Sequence, residues 1–283
     1  MNFAPLSSDL SYWQKQSQPL FPNLAWNIPE QKTGHVAIVG GNSQGFATVI
    51  RIAEFLSQNF PFSSVNALLP DALRGKLPPL SNITLLPSTS SGSFAKSYQL
   101  QTAIQSANAS LVIGDLSRNA ATAIALADAI TPTTTTSNAT NNSASPPSYS
   151  PLVLARDSVD LLAGEAARWL TRPNTFVVAS MAQLQKLFRA IYYPRMILLS
   201  QPLLPVLETL HKFTLSYPTT ILTFHQENLI VAHAGQITTT HLVDTDYSPI
   251  SLWSGQLAAR VMAFNLYTPN HPLKATTAAL LYH

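Results

Sequence analysis

Short apolar runs alternate along this chain with segments whose apolar positions recur every three or four residues. Residues 36–39 form the first run, Val-Ala-Ile-Val, which reads as a buried strand. Residues 47–58 follow with Val49, Ile50, Ala53 and Leu56 at helical spacing. Strands are predicted at 65–69, 83–86, 110–113, 151–154, 175–178 and 196–199, and helices at 100–107, 119–130, 160–170, 181–190 and 205–217. Three more strands, 219–223, 228–232 and 236–241, precede closing helices at 255–265 and 272–281. In 236–241 the run Thr238-Thr239-Thr240 favours strand, because β-branched side chains suit a pleated surface. Strands that are apolar throughout and alternate with helices predict an α/β protein with a mainly parallel sheet covered on both faces. Ligands in such sheets bind beyond the carboxyl ends of the strands. The turns after Val39, Ile113 and Leu154 are therefore expected on one edge, with the helix that starts at Gly255 facing it.

Composition narrows the picture. With 283 residues and 46% hydrophobic content, the chain can bury a large core. Residues 1–31, rich in Pro, Gln and aromatics, read as an irregular arm or short helix packed on a single domain of residues 32–283. Residues 131–150 are a polar, low-complexity insert after which the strand–helix alternation resumes. No secretory signal and no membrane-spanning run are read, so a cytoplasmic protein is expected. There is no cysteine, which excludes disulfides and thiolate chemistry. Charged residues make up only 10%, against roughly 25% in typical domains, which suggests burial in a homo-oligomer. The net charge is +3 with Lys and Arg scattered, so nucleic-acid binding is not expected. His225, His233 and His241 lie eight residues apart, a spacing that gives no helical ligand pair, and no metal site is read from them.

The order of motifs over about residues 30–283 resembles the ribokinase-like superfamily, and more narrowly the ADP/ATP-dependent NAD(P)H-hydrate dehydratases. Lys32, Gly34, the strand at 36–39, Gly40 and Gly41 follow that family's opening, with Asn42 where a serine or aspartate is usual and Ala47-Thr48 near its Gly-Ala pair. Leu111-Val112-Ile113-Gly114 matches the strand leading to its Gly-Pro-Gly-Leu-Gly turn, of which only Gly114 is kept. Asp157 and Leu161-Leu162 fit its Asp-Ala-Asp-Ala-Leu-Asn-Leu-Leu segment, but Ala155 replaces the first aspartate. The Thr-Pro-His-Pro-Gly-Glu segment falls on residues 178–183, where Ser180 and Gln183 stand for the histidine and the glutamate. The Lys-Gly turn falls near Phe224-His225 and keeps neither residue. The Gly-Ser-Gly-Asp motif falls on Trp253-Ser254-Gly255-Gln256, with glutamine in place of the acid.

The resemblance implies a three-layer αβα sandwich, a nucleotide cofactor (ADP or ATP with Mg), and hydrated NAD(P)H as the ancestral substrate. It points to Gly40, Gly41, Asn42, Thr48, Gly114, Ser254 and Gly255 as ligand-binding positions. Gln256 stands where the catalytic acid is expected. Glutamine hydrogen-bonds but accepts no proton near neutral pH, and loss of such a group costs on the order of 10²–10⁴ in rate. Asp115 and Asp244 are the replacement candidates, although Asp115 reads more readily as an N-cap for the next helix and Asp244, with Asp246, as a solvated loop. Asp157 reads as a backbone acceptor, Trp253 as pocket filling. Two readings stay open: a catalytically impaired or inactive protein kept as a ligand-binding or scaffold subunit, with or without nucleotide binding, and an active divergent dehydratase or small-molecule kinase.

Overall fold

The computed structural model describes residues 10–16, 28–77, 82–131, 149–244 and 253–281. Ten strands form one sheet: β1 (Trp13–Gln16), β2 (His35–Val39), β3 (Ser64–Pro70), β4 (Ile83–Leu86), β5 (Ala109–Ile113), β6 (Leu152–Ala155), β7 (Thr175–Val178), β8 (Thr219–His225), β9 (Asn228–His233) and β10 (Gln236–His241). Their order is β1-β10-β9-β8-β7-β6-β5-β2-β3-β4. Strands β2 to β8 pair in parallel, and β9 runs antiparallel to both its neighbours.

Helices cover both faces. On one face α1 (Ala47–Asn59), α8 (Gln256–Tyr267) and α9 (Pro272–Leu281) bury Val49, Ile52, Val261 and Leu280 against Ile38, Leu111 and Ile113. On the other, α2 (Tyr98–Gln105), α3 (Ala120–Ile130), α4 (Asp157–Leu162), α5 (Ala166–Trp169), α6 (Met181–Ala190) and α7 (Leu203–Ser216) pack against Val39, Val112, Leu154 and Val177. Alternate residues of each central strand enter opposite cores, so the strands read as unbroken apolar runs.

Three expectations change. The arm contains a strand: β1 pairs in parallel with β10, Trp13 Nε1 donates to Thr239 Oγ1 at 3.0 Å, and Tyr12 stacks on His211 with centroids 4.1 Å apart. Met196–Leu199 is not a strand. This apolar stretch belongs to the irregular connection from α6 to α7, and of its side chains only Ile197 is buried, while Met196, Leu198 and Leu199 are exposed. The helix expected at 160–170 starts earlier and is broken into α4, a 3-10 turn over Ala163–Glu165, and α5. Trp169 secures the break, because its indole N–H reaches the Leu162 carbonyl at 3.0 Å from a fully buried position. The polar insert falls mostly outside the described residues.

Trp169→Ala is expected to lower unfolding free energy by about 3–5 kcal/mol, and Trp169→Phe, which keeps the ring but leaves the Leu162 carbonyl unpaired, by about 1–3 kcal/mol. Urea unfolding of both variants measures this, and no loss in Trp169→Phe would show that the hydrogen bond contributes nothing.

Candidate functional site

Because β2, β5 and β6 are parallel neighbours, the turns after Val39, Ile113 and Ala155 lie side by side at the carboxyl edge. The first turn has no space for side chains. A Cβ on Gly40 would run into the Ile113 carbonyl oxygen, and one on Gly41, whose φ is +86°, would lie 2.8 Å from Leu69. Gly41 N–H donates to the Gly114 carbonyl at 3.2 Å, joining this turn to the next. Asn42 closes the loop from within. Its Oδ1 accepts from the N–H groups of Gln44 (2.7 Å) and Gly45 (3.2 Å), and its Nδ2 donates to the Asp115 carbonyl at 2.6 Å.

Asp115 is the centre of this edge. It sits in the left-handed region at φ 57°, which aspartate tolerates better than most residues. Its Oδ2 accepts from Thr48 N–H at 3.0 Å, in the first turn of α1. Phe46, the N-cap of α1, supplies no side-chain cap, so a carboxylate from a different turn caps the helix. The cap expected for the helix after Asp115 comes instead from Asn119, which accepts from Thr122 N–H at 2.8 Å. Asp115 caps α1 because its left-handed backbone turns the carboxylate towards β2's side of the edge. Asp157 accepts from the Asp115 N–H at 3.2 Å, in line with the backbone role read for it.

The turn after β6 brings in a residue that the motif comparison passed over. Arg156 has φ 55° and ψ −131°, a conformation that favours glycine. Its carbonyl accepts from Gln183 Nε2 at 2.8 Å. Gln183 Nε2 also donates to Asp160 Oδ2 at 2.8 Å, and its Oε1 accepts from Ser180 N–H at 3.0 Å, completing a capping box on α6. The Arg156 guanidinium extends across the edge. Its Nε lies 3.1 Å from where a Gly114 Cβ would be, and its Nη1 donates to the Trp253 carbonyl at 3.4 Å, just before α8. The only sequence signal was a charged residue directly after a buried strand.

Gly255 starts α8 at φ +99°, with Ile113 and Ile52 packed where a Cβ would be. Ser254 is half-buried, and its Oγ accepts from Gln256 N–H at 3.4 Å, while Gln256 is exposed at the first helical position. Trp253 is partly buried against the α1/α8 core. The edge thus gathers Gly40, Gly41, Asn42, Thr48, Gly114, Asp115, Arg156, Asp157 and the 254–256 turn. Lys32 and Gly34 lie at the opposite end of β2. His225 Nε2 is 2.7 Å from the Gln201 carbonyl, His233 Nδ1 is 2.9 Å from Thr220 Oγ1, and His241 pairs with Glu227 at 3.4 Å, so the three imidazoles do not converge. Asp244 ends a 3-10 turn, but its side chain and all of Asp246 lie outside the described residues. Beside the edge, a cleft of about 440 Å³ opens between α3, α4 and α6, lined by Arg118, Ala123, Leu161, Gly164 and Lys186.

No protein-family model matches this chain, and no curated protein sequence does. Solved structures do. A ribokinase-like superfamily protein from Enterococcus faecalis superposes with a TM-score of 0.64 at 13% identity, over 96% of this chain and 86% of that one. A hypothetical protein from Streptococcus mutans gives 0.61 at 16% identity, over 92% and 86%. An ADP/ATP-dependent NAD(P)H-hydrate dehydratase from Bacillus subtilis, crystallised with ATP and Mg²⁺ and soaked with CoA, gives 0.56 at 12% identity, over 93% and 86%. The fold is therefore ribokinase-like.

Asp115→Ala is expected to lower unfolding free energy by about 1–2 kcal/mol through loss of the α1 cap, while Asp115→Asn, which keeps an acceptor oxygen and tolerates the left-handed backbone, loses less than half of that. Urea denaturation distinguishes them. If alanine and asparagine cost the same, the carboxylate does not cap α1.

Proposed function

We propose that this chain binds a phosphate-bearing small molecule, an adenine nucleotide first among them, at the carboxyl edge of its ribokinase-like sheet, and that it does not turn that ligand over. The observation that carries this reading is the state of the acids. Position 256, at the start of α8, is an exposed glutamine, and the carboxylates of Asp115 and Asp157 each accept a backbone N–H. A general base must reach its proton with a free lone pair and a suitable pKa. Carboxylates that hold turns together are poorly placed to take that role. Binding is a different requirement. It is supported by the start of α8, which opens at Gly255 beside the turn after β5, since a helix N-terminus favours a phosphate.

The Bacillus subtilis dehydratase of the same fold was crystallised with ATP and Mg²⁺, which makes ADP and ATP the first ligands to try. Self-association and a cytoplasmic location belong to the same proposal. The low charged fraction supports the first, and among the described residues no helix is long and apolar enough to cross a membrane.

Calorimetric titration with ADP and ATP, each with magnesium, tests binding, and spectrophotometric turnover of hydrated NADH tests catalysis. Micromolar binding without turnover is expected, and Gln256→Asp alone is expected to leave turnover undetectable, because Ala155 and Gln183 also depart from the dehydratase pattern. Turnover by the unmodified chain would establish the active reading, as a divergent dehydratase or kinase. Silence towards both nucleotides would remove the nucleotide from the proposal.

A further inference from the structure

We infer that Arg156 is the ligand-binding cation of this site, contacting a phosphate directly so that binding needs no magnesium ion, and that Gln183 is the positioning residue that holds it there. The inference rests on the reading of the carboxyl edge as the ligand site and adds the source of its charge.

The first ground is the guanidinium itself. It lies between the Gly114 turn and the residues that lead into α8, with a carbonyl as its hydrogen-bond partner. Among the described residues no carboxylate forms an ion pair with it, whereas Arg168, Arg195, Lys186 and Lys212 all have such partners. An arginine is always charged and presents several N–H donors in a planar fork that matches phosphate oxygens. Here the fork has donors to spare at the edge where the fold places ligands.

The second ground is the donor set for a metal. Magnesium takes oxygen ligands in strict octahedral geometry, commonly one or two carboxylates with phosphates and water. Among the described residues, each carboxylate near this edge commits an oxygen to a structural contact. Asp115 Oδ2 caps α1, Asp157 Oδ2 receives the Asp115 N–H, and Asp160 is held by Gln183 and by Lys186 at 3.2 Å. Ala155 offers no oxygen from its side chain. A fixed positive charge at Arg156 also opposes a dication placed beside it. The residues present do not fit magnesium, and they do fit a bare phosphate.

The third ground explains Gln183. The carbonyl of Arg156 accepts from the Val159 N–H at 3.1 Å, and the Gln183 amide adds a second donor from α6 at 2.8 Å while its other contact holds Asp160. The amide orientation is fixed by its neighbours, because its oxygen accepts from Ser180 and both acceptor groups face its nitrogen. A glutamate at 183 would have no hydrogen to offer the Arg156 carbonyl and would face Asp160 with like charge. Arg156 and Gln183 are thus one device. The glutamine that looks like a lost acid in the motif comparison is a second donor that ties the arginine turn to α6.

The test is calorimetric titration of the full chain with inorganic pyrophosphate, in EDTA and then in magnesium. Binding of similar strength in both is expected. Arg156→Ala should weaken it at least about tenfold, the worth of one charged hydrogen bond, and Arg156→Lys should restore part. Arg156→Gly suits the backbone turn, so it should melt no lower than the unmodified chain while losing the same binding, which separates the ligand role from folding. Gln183→Glu should weaken pyrophosphate binding without removing any group that touches it. No binding of pyrophosphate by the unmodified chain, binding that vanishes in EDTA, or unchanged affinity in Arg156→Gly would each overturn the inference. ADP run in parallel keeps the two readings apart. Pyrophosphate binding with ADP silent keeps Arg156 and removes the nucleotide, whereas ADP binding that ignores Arg156→Gly keeps the nucleotide and removes Arg156.

Discussion

The carboxylate of Asp115 holds the carboxyl edge of this sheet together. It leaves β5 in a left-handed turn, caps α1 through Thr48, and receives support from Asp157 at the start of α4. Its own carbonyl accepts from Asn42, which closes the turn after β2. One residue thus links three neighbouring βα turns. An uncapped helix start leaves backbone N–H groups without partners, and Phe46 cannot serve them. The turns can approach one another so closely only because Gly40 and Gly114 have no side chains between them.

Two of the departures from the dehydratase pattern, Ala155 and Gln183, flank Arg156 in this arrangement. Taken one at a time, Ala155, Gln183 and Gln256 look like independent losses. In the structure Ala155 is buried at the end of β6, Arg156 follows in a glycine-like conformation, and Gln183 on α6 reaches back to hold it. The edge thus carries a guanidinium and has Ala155, Gln183 and Gln256 at the three motif positions where acids are expected. An edge of that kind suits holding an anion better than abstracting a proton, and the binding role proposed above rests on this.

The low charge of the chain has a structural counterpart. Threonines carry much of the buried polarity, and most find local partners. Thr238 and Thr277 hydroxyls meet at 2.8 Å between β10 and α9, Thr219 donates to the Leu170 carbonyl at 3.0 Å, and Thr239 receives the Trp13 indole. A hydroxyl that bonds a nearby backbone or hydroxyl group avoids most of the cost of burial. The methyl of threonine meanwhile packs on the pleat, so these strands keep their β preference while losing hydrophobic character.

The sequence by itself determined the alternation of strands and helices, the mainly parallel sheet and the edge at which its turns gather. Those features follow from periodicity, and periodicity is local. It misread Met196–Leu199, because an apolar run carries no sign of whether a neighbouring strand is available to pair with it, and it missed β1, whose partner lies more than 220 residues away. It placed Gly40, Gly41, Gly114 and Gly255 together correctly, since strand ends and helix starts carry their own signals. It left the backbone contacts of Asp115 and Asp157 open, and only the tertiary structure supplied them. Whether Asp115 caps the helix after it or one far before it in the chain depends on a backbone angle and a neighbour that residue spacing does not record. Arg156 likewise gains its meaning from Gln183 and from the start of α8, which are near it only in space.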